Sequence, residues 1–180
     1  MKLTPRNRSA RTTPRFRGDP ELRDVLAPGL RAVFVGTRGR NGSPHGRHYY
    51  DGAGNQFWNL LHLSGLTRVR LDPSDDATLP TYGYGLTDLV WRGDTPDLAA
   101  LQRALRRARP RVVAFVSKTA ATSYAREVGE RLPRTYGPLS WTVVGLPAFV
   151  LPGPSGANNA MSVPLRAALW RDLDDFIESV

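Results

Sequence analysis

Glycines follow a short apolar run near the start of the chain, in a pattern that could hold a ligand. Ala32-Val33-Phe34-Val35 leads directly into Gly36, and Gly39, Gly42 and Gly46 come soon after. Loops that follow a strand often carry binding residues in α/β proteins, and glycine lets a backbone approach a phosphate closely. Neither the G-x-x-x-x-G-K-[ST] spacing nor the G-x-G-x-x-G spacing is present, so the loop does not match a nucleotide-cofactor site.

A second loop of small residues lies near the C-terminus. An apolar run over 148–151 ends in Pro152-Gly153-Pro154-Ser155-Gly156-Ala157-Asn158-Asn159, and a helix is predicted to begin near Val163. Backbone amides ahead of a helix N-terminus can receive a phosphate. An ordinary strand-to-helix turn carries the same dipeptides, so this loop alone leaves both interpretations open.

Short β-rich runs alternate with helical patterns around these loops, which is typical of a largely parallel sheet with helices on both faces. The predicted strands are 31–35, 112–117, 141–144 and 148–151, and the predicted helices are 55–64, 96–109, 118–131 and 163–177. Phe57 and Trp58 share a helical face with Leu60 and Leu61, which predicts that they are core residues. We therefore predict one α/β domain over 20–180, with three α/β/α layers and a central, mostly parallel sheet.

The charge balance indicates a polyanionic partner. The chain has 25 Lys and Arg against 16 Asp and Glu, a net charge of +9, and the excess is mostly arginine, which suits contacts with phosphate. Residues 1–19 contain basic residues and no acid before Asp19. We predict a disordered arm there, which is either a solvated tail or a nonspecific electrostatic contact to DNA.

Several classes of chemistry lack their usual residues. Without cysteine there is neither a disulfide framework nor a thiolate metal site. His45, His48 and His62 have no acid or thiol at a recurrent metal spacing, so we interpret His62 as structural and the other two as loop or DNA-facing residues. We expect no metal or organic cofactor. No apolar run approaches the ~20 residues of a membrane span, and a secretory signal is lacking, so we expect a cytoplasmic protein without membrane association.

Six motifs over about residues 30–178 occur in an order that is typical of one family. They are Val33-Phe34-Val35-Gly36, Tyr50, Asn55-Gln56-Phe57-Trp58, Gly85-Leu86-Thr87-Asp88-Leu89-Val90, Ser117-Lys118 and Leu151-Pro152-Gly153-Pro154-Ser155-Gly156. In this order and spacing the chain resembles the mismatch-specific uracil-DNA and thymine-DNA glycosylase family of the uracil-DNA glycosylase superfamily. The resemblance implies an enzyme that rotates a damaged or mismatched base out of the duplex and hydrolyses its N-glycosidic bond.

The resemblance also implies roles for individual residues. Tyr50 would stack on the extruded base, although the adjoining Tyr49 leaves open that Tyr50 is a surface loop tyrosine. Lys118, Ser155 and the amides of 153–156 would contact backbone phosphates. Gly156, Ala157 and Asn158 would enter the duplex where the base had been.

The first loop departs from the family pattern at the position that matters most. Arg38 stands where the family has its catalytic asparagine, and Gly153 and Ala157 also differ from the usual residues. Either catalysis has been lost, or another residue orients the water. A carboxylate can do this and can also offset the positive charge that develops on the sugar.

Asp88 is the strongest candidate for that carboxylate. Its motif, Gly85-Leu86-Thr87-Asp88-Leu89-Val90, lies by the resemblance at the edge of the base pocket, and its neighbours are apolar. A helix cap or an ion pair with Arg92 would explain it without catalysis. Asp51 is a second candidate, for which helix capping is the simpler explanation, and Asn41 is a third if the loop shifts in register.

We therefore predict a monofunctional DNA glycosylase that removes uracil, with an altered range of accepted bases, from mispaired double-stranded DNA. Asp88 acts on the water, Gly36 and Arg38 lie near the base pocket, and Lys118 forms no Schiff base. We expect a monomer. The alternative is a catalytically inactive module that binds mismatched or distorted DNA.

Overall fold

A computed structural model describes residues 22–37, 48–89, 91–92, 95–156 and 160–180. The predictions made for the arm over 1–19, and for Arg38, Asn41, Ala157 and Asn158, lie outside the described residues.

The main sheet has five strands in the order β2-β1-β5-β7-β6. The bounds of the strands are β1 Ala32–Thr37, β2 Tyr84–Leu89, β5 Val112–Phe115, β6 Gly137–Pro138 and β7 Ala148–Val150, and a separate ribbon pairs β3 Trp91–Arg92 with β4 Thr95–Pro96. Strands β2, β1, β5 and β7 pair in parallel, and β6 pairs antiparallel with β7. The predicted mostly parallel sheet is confirmed.

Helices cover both faces of this sheet. Their bounds are α1 Phe57–Leu63, α2 Leu98–Ala108, α3 Lys118–Val128 and α4 Val163–Ser179, with a 3₁₀ helix over Pro73–Tyr82. Side chains alternate across β1, so Phe34 packs with Phe57 of α1 and Trp170 of α4, whereas Val33 and Val35 belong to the core under α2 and α3. The predicted three-layer architecture is therefore confirmed, as is the core position of Phe57 and Trp58.

The predicted strand over 141–144 is wrong. Trp141 and Val143 are buried, but Val143 forms only an isolated bridge with Leu146. Val144 has a φ of 48°, so the chain turns here instead of extending. The apolar residues of this segment pack as a buried loop, which periodicity alone does not distinguish from a strand.

Five elements were not predicted: strands β2, β3, β4 and β6 and the 3₁₀ helix. Strand β2 carries the motif of Asp88, and the 3₁₀ helix directly precedes it. Helix α3 also ends earlier than expected, at Val128, because Gly129 adopts a φ of 74° that closes the helix.

Candidate active site at the carboxyl edge of the sheet

The carboxyl ends of four strands meet at one edge of the sheet because β2, β1, β5 and β7 are parallel. Gly36 lies near the end of β1 and Asp88 near the end of β2, while Ser117 and Leu151 follow β5 and β7. Ligands of open α/β sheets bind at this edge. The topology thus brings together residues from four of the six motifs that the sequence singled out.

Gly36 and Asp88 face each other across the first pair of strands. They are register partners in β1 and β2. A Cβ on Gly36 would overlap Asp88 Oδ1 and would lie 2.9 Å from Tyr50 Oη. Because Asp88 lies within a strand, the helix-cap explanation for it is wrong. Glycine at position 36 leaves the space in which the carboxylate lies.

Tyr50 reaches this point from the segment that precedes α1. Its ring stacks on Phe57, with centroids 3.9 Å apart and planes 10° from parallel. Its hydroxyl is buried and has no hydrogen-bond partner within the described part of the chain. Burial, together with the nearby charge of Asp88, raises the pKa of Tyr50 well above its usual value. The phenol is therefore neutral and retains a proton to donate.

Tyr49 has a different environment from Tyr50. Its side chain is buried in the core, and its carbonyl accepts a hydrogen bond of 3.0 Å from Trp58 Nε1. Tyr50 has a φ of 57°, which directs the two neighbouring rings differently. Burial and the charge of Asp88 raise the pKa of both tyrosines, but of the adjoining pair it is Tyr50 whose hydroxyl lies against Gly36.

Asp51 does not cap α1. The first amide of that helix, Phe57 N, donates to Asn55 Oδ1 at 2.9 Å, and Gln56 is the N-cap residue. The helix-cap explanation for Asp51 is therefore wrong. Asn55, from the motif that opens the helix, satisfies this amide instead.

The loop over 151–156 packs against the segment before α1. Pro154 O accepts a 2.8 Å hydrogen bond from Gln56 N, and a Cβ on Gly156 would lie 2.8 Å from Gly54 O. From α4, Trp170 Nε1 donates to Pro152 O at 3.0 Å. Ser155 and Gly156 are exposed on the outer side of the loop. This loop and the Tyr50 segment thus form one continuous rim.

Lys118 begins α3 at the same edge. Ser117 caps the helix through its hydroxyl, which accepts from Ala120 N at 3.0 Å. The ammonium of Lys118 donates to Arg134 O at 2.7 Å and lies 4.4 Å from the centroid of the Tyr136 ring. Its side chain therefore packs over the 134–136 segment, beside the rim.

Arg166 is a residue of this region that the sequence analysis missed. It is 5% exposed, and its Nη1 donates to Gly153 O and Ser155 O, each at 3.4 Å. Positions 163, 166, 167 and 170 recur at helical spacing on the face of α4 that carries Ala167 and Trp170. An arginine on that apolar face was a signal that could have identified it.

The two described histidines each contact a neighbouring segment. His62 is exposed, with Nδ1 3.4 Å from Thr67 O, and His48 Nδ1 lies 3.3 Å from Asp76 Oδ2. Across the described ranges, no group of three or more His, Cys, Asp or Glu residues could hold a metal ion. The same ranges contain no helix that is both long and apolar enough to cross a bilayer.

Fold and site together define an α/β domain with a candidate ligand site at the carboxyl edge of a mostly parallel sheet. Residues 23–174 match the family model of the uracil DNA glycosylase superfamily, so the chain belongs to that superfamily. The fold is also similar to a solution NMR structure of a Methanosarcina acetivorans protein proposed to be a uracil DNA glycosylase, with a TM-score of 0.54 and 20% identity. That match covers 85% of this chain and 96% of the other.

Proposed function

We propose that this protein is a monofunctional DNA glycosylase that extrudes uracil from mispaired double-stranded DNA and hydrolyses its N-glycosidic bond. The proposal depends on one observation: the Asp88 carboxylate and the Tyr50 hydroxyl both lie against Gly36. This point is at the carboxyl edge of the sheet in a domain of the uracil DNA glycosylase superfamily. Membership of the superfamily supports action on DNA, and the arrangement of these three residues supports hydrolysis.

Asp88 is the residue that acts on the water. Hydrolysis of an N-glycosidic bond passes through a sugar with positive, oxocarbenium-like charge, while the base leaves as an anion. A carboxylate can orient or deprotonate water and can also stabilise the positive sugar. The position of Asp88 in a strand, opposite a glycine, holds its carboxylate without a flexible loop.

Tyr50 binds the extruded base. Phe57 packs against one face of its ring and fixes the plane of the phenol. Stacking of a base on an aromatic side chain is worth about 1–3 kcal/mol, which offsets part of the cost of removing the base from the duplex. The neutral hydroxyl of Tyr50 can donate a hydrogen bond to a base carbonyl or to the attacking water.

The rim around 151–156 supports contact with the DNA backbone. Ser155 and Gly156 are exposed there, and Lys118 begins α3 directly after Ser117, whose Cβ would lie 3.5 Å from a Cβ on Gly153. We assign these residues to phosphate contacts, and Ala157 with Asn158 to the space that the base vacates. We assign Arg38, which lies outside the described residues, to the base pocket. Mispaired uracil is the favoured substrate because an unstable pair costs less to open.

The test is a single-turnover assay on labelled duplexes with uracil opposite guanine, treated with alkali to reveal abasic sites. Wild type should yield abasic DNA, and Asp88→Asn and Asp88→Ala should lose about 10²–10⁴-fold in rate. Binding of each variant to a duplex with a stable abasic analogue serves as the control for folding and affinity.

Each other outcome would indicate a different catalytic residue or a different function. Full activity in both Asp88 variants would move the catalytic role to Asp51 or Asn41. Absence of abasic product from wild type on uracil, thymine or an alkylated base, at saturating protein, would favour the inactive DNA-binding module. A faster reaction opposite guanine than opposite adenine would support the preference for mispairs.

A further inference from the structure

Arg166 carries a buried positive charge that the described residues do not neutralise. The side chain is 5% exposed, yet it forms no salt bridge with any described carboxylate, and its Nε has no hydrogen-bond partner among the described residues. Its two hydrogen bonds, to Gly153 O and Ser155 O, are both long, at 3.4 Å. A guanidinium has five donors, and the buried Nε–H is one that no described residue accepts from. Burial of a charge in this state is costly unless an anion compensates it.

The helix that carries Arg166 adds to the positive potential. Arg166 lies in the first turn of α4, a 17-residue helix whose first turn contains no acidic residue. The N-terminus of a helix is itself positive, so acidic residues are favoured there and a buried arginine is not. Helix and side chain together favour an anion at this point.

The position of the guanidinium limits which anion can approach. Its Nη1 bonds both carbonyls that flank Pro154, so the charge lies directly under the loop over 152–156. Ser155 and Gly156 are exposed on the outer side of that loop. An anion that rests on the loop from solvent is separated from Arg166 by the loop itself, so the charge acts on it across the carbonyls of Gly153 and Ser155.

We propose that Arg166 binds a phosphodiester of the DNA backbone from beneath the 152–156 loop. This inference rests on the proposed function, since it requires that DNA crosses this rim. A bound phosphodiester compensates the buried charge of Arg166. Arg166 in turn contributes to the affinity for DNA, and this contribution is lost at high salt. A purely structural role, in which the side chain only ties two carbonyls together, is the competing explanation.

Two substitutions separate charge from hydrogen bonding. Arg166→Lys keeps the positive charge and changes the geometry, whereas Arg166→Gln keeps an N–H donor for the carbonyls and removes the charge. Arg171→Gln is the matched control, because Arg171 is exposed on the same helix and its Nη2 lies 3.4 Å from Leu63 O, at the end of α1 remote from the site.

The measurement is the affinity for a duplex with a stable abasic analogue over a series of KCl concentrations. Each neutralised phosphate contributes about −0.9 to the slope of log K against log salt. Arg166→Gln should make the slope shallower by about 0.9, while Arg166→Lys and Arg171→Gln should keep the wild-type slope. Inorganic phosphate should not displace the duplex at an ionic strength matched with chloride, which distinguishes a DNA phosphodiester from a free phosphate site.

The results that would overturn the role of Arg166 differ from those that would overturn the proposed function. A folded Arg166→Gln variant with the wild-type slope, or a loss in Arg166→Lys equal to that in Arg166→Gln, would overturn the role of Arg166 and leave the proposed function standing. Absence of salt-dependent binding in wild type would overturn both. If Arg166→Gln fails to fold, Arg166→Met, which also removes the charge, takes its place: a slope shallower by about 0.9 than that of wild type supports the proposal, and the wild-type slope overturns it.

Discussion

Gly36 and Asp88 are register partners on adjacent parallel strands, and the Oδ1 atom of Asp88 occupies the space that a side chain at position 36 would need. The pair is built from two separate motifs of the sequence. Because the carboxylate and the glycine share this space, the smallest substitution at one residue must displace the other.

Gly36→Ala should therefore reduce activity without unfolding the protein. The added Cβ would overlap Asp88 Oδ1, and a displacement of a catalytic group by about 1 Å costs about 10²-fold in rate. Gly52→Ala is the control, because a Cβ there meets no heavy atom within 4 Å. Single-turnover rates and thermal unfolding of both variants provide the check, and a Gly36→Ala enzyme of wild-type rate would contradict the placement of Asp88 in catalysis.

Tyr50→Phe should separate stability from activity. The variant retains the ring that stacks on Phe57 and removes a buried hydroxyl that lacks a partner among the described residues, so the free energy of unfolding should not decrease. The rate should fall about tenfold, because one hydrogen bond to base or water is lost. Tyr50→Ala, which also removes the ring, should lower the free energy of unfolding by about 3 kcal/mol. Equal rates for wild type and Tyr50→Phe would assign the tyrosine to stacking alone.

Alkaline pH should destabilise the protein through its buried tyrosines. Burial raises the pKa of Tyr49, Tyr50 and Tyr84 above the usual value, so in the folded state they stay protonated at a pH where the unfolded chain has ionised. Their contribution to stability is complete below about pH 10, and it falls by about 1.4 kcal/mol per pH unit for each tyrosine above that value. Urea unfolding from about pH 8 upward measures the slope, and phenolate absorbance reports the ionisation. Tyr50→Phe should have a shallower slope, and an unchanged slope in that variant would contradict the raised pKa of Tyr50.

Trp170→Phe should weaken DNA binding as well as stability. The substitution removes the hydrogen bond from Trp170 Nε1 to Pro152 O, which holds the 152–156 loop, and should cost about 2 kcal/mol. Trp141→Phe is the matched control. It removes an equivalent bond, from Trp141 Nε1 to Arg131 O, in the core on the other face of the sheet, so it should cost similar stability and leave affinity unchanged. Urea unfolding and DNA titration of both variants test this, and equal losses of affinity would show that the loop is not the cause.

Local patterns in the chain were sufficient for the architecture of the domain. Apolar runs and helical spacing predicted β1, β5 and β7 and all four α-helices, because the hydrophobic period of each element is encoded within a few neighbouring residues. The core positions of Phe57 and Trp58 followed from the same spacing. The superfamily, too, could be recognised from short motifs in a fixed order.

Tertiary structure alone decided how these pieces combine. The contact of Gly36 with Asp88 depends on the pairing of β1 with β2, and β2 itself was not evident in the sequence because its glycine and polar residues do not form an apolar run. The apolar 141–144 segment, in contrast, is a turn in which Trp141 and Val143 are buried. Pairing, register and burial are set by residues distant in the chain. Neither the Tyr50 hydroxyl, which has no partner among the described residues, nor the buried charge of Arg166 could therefore be derived from local sequence.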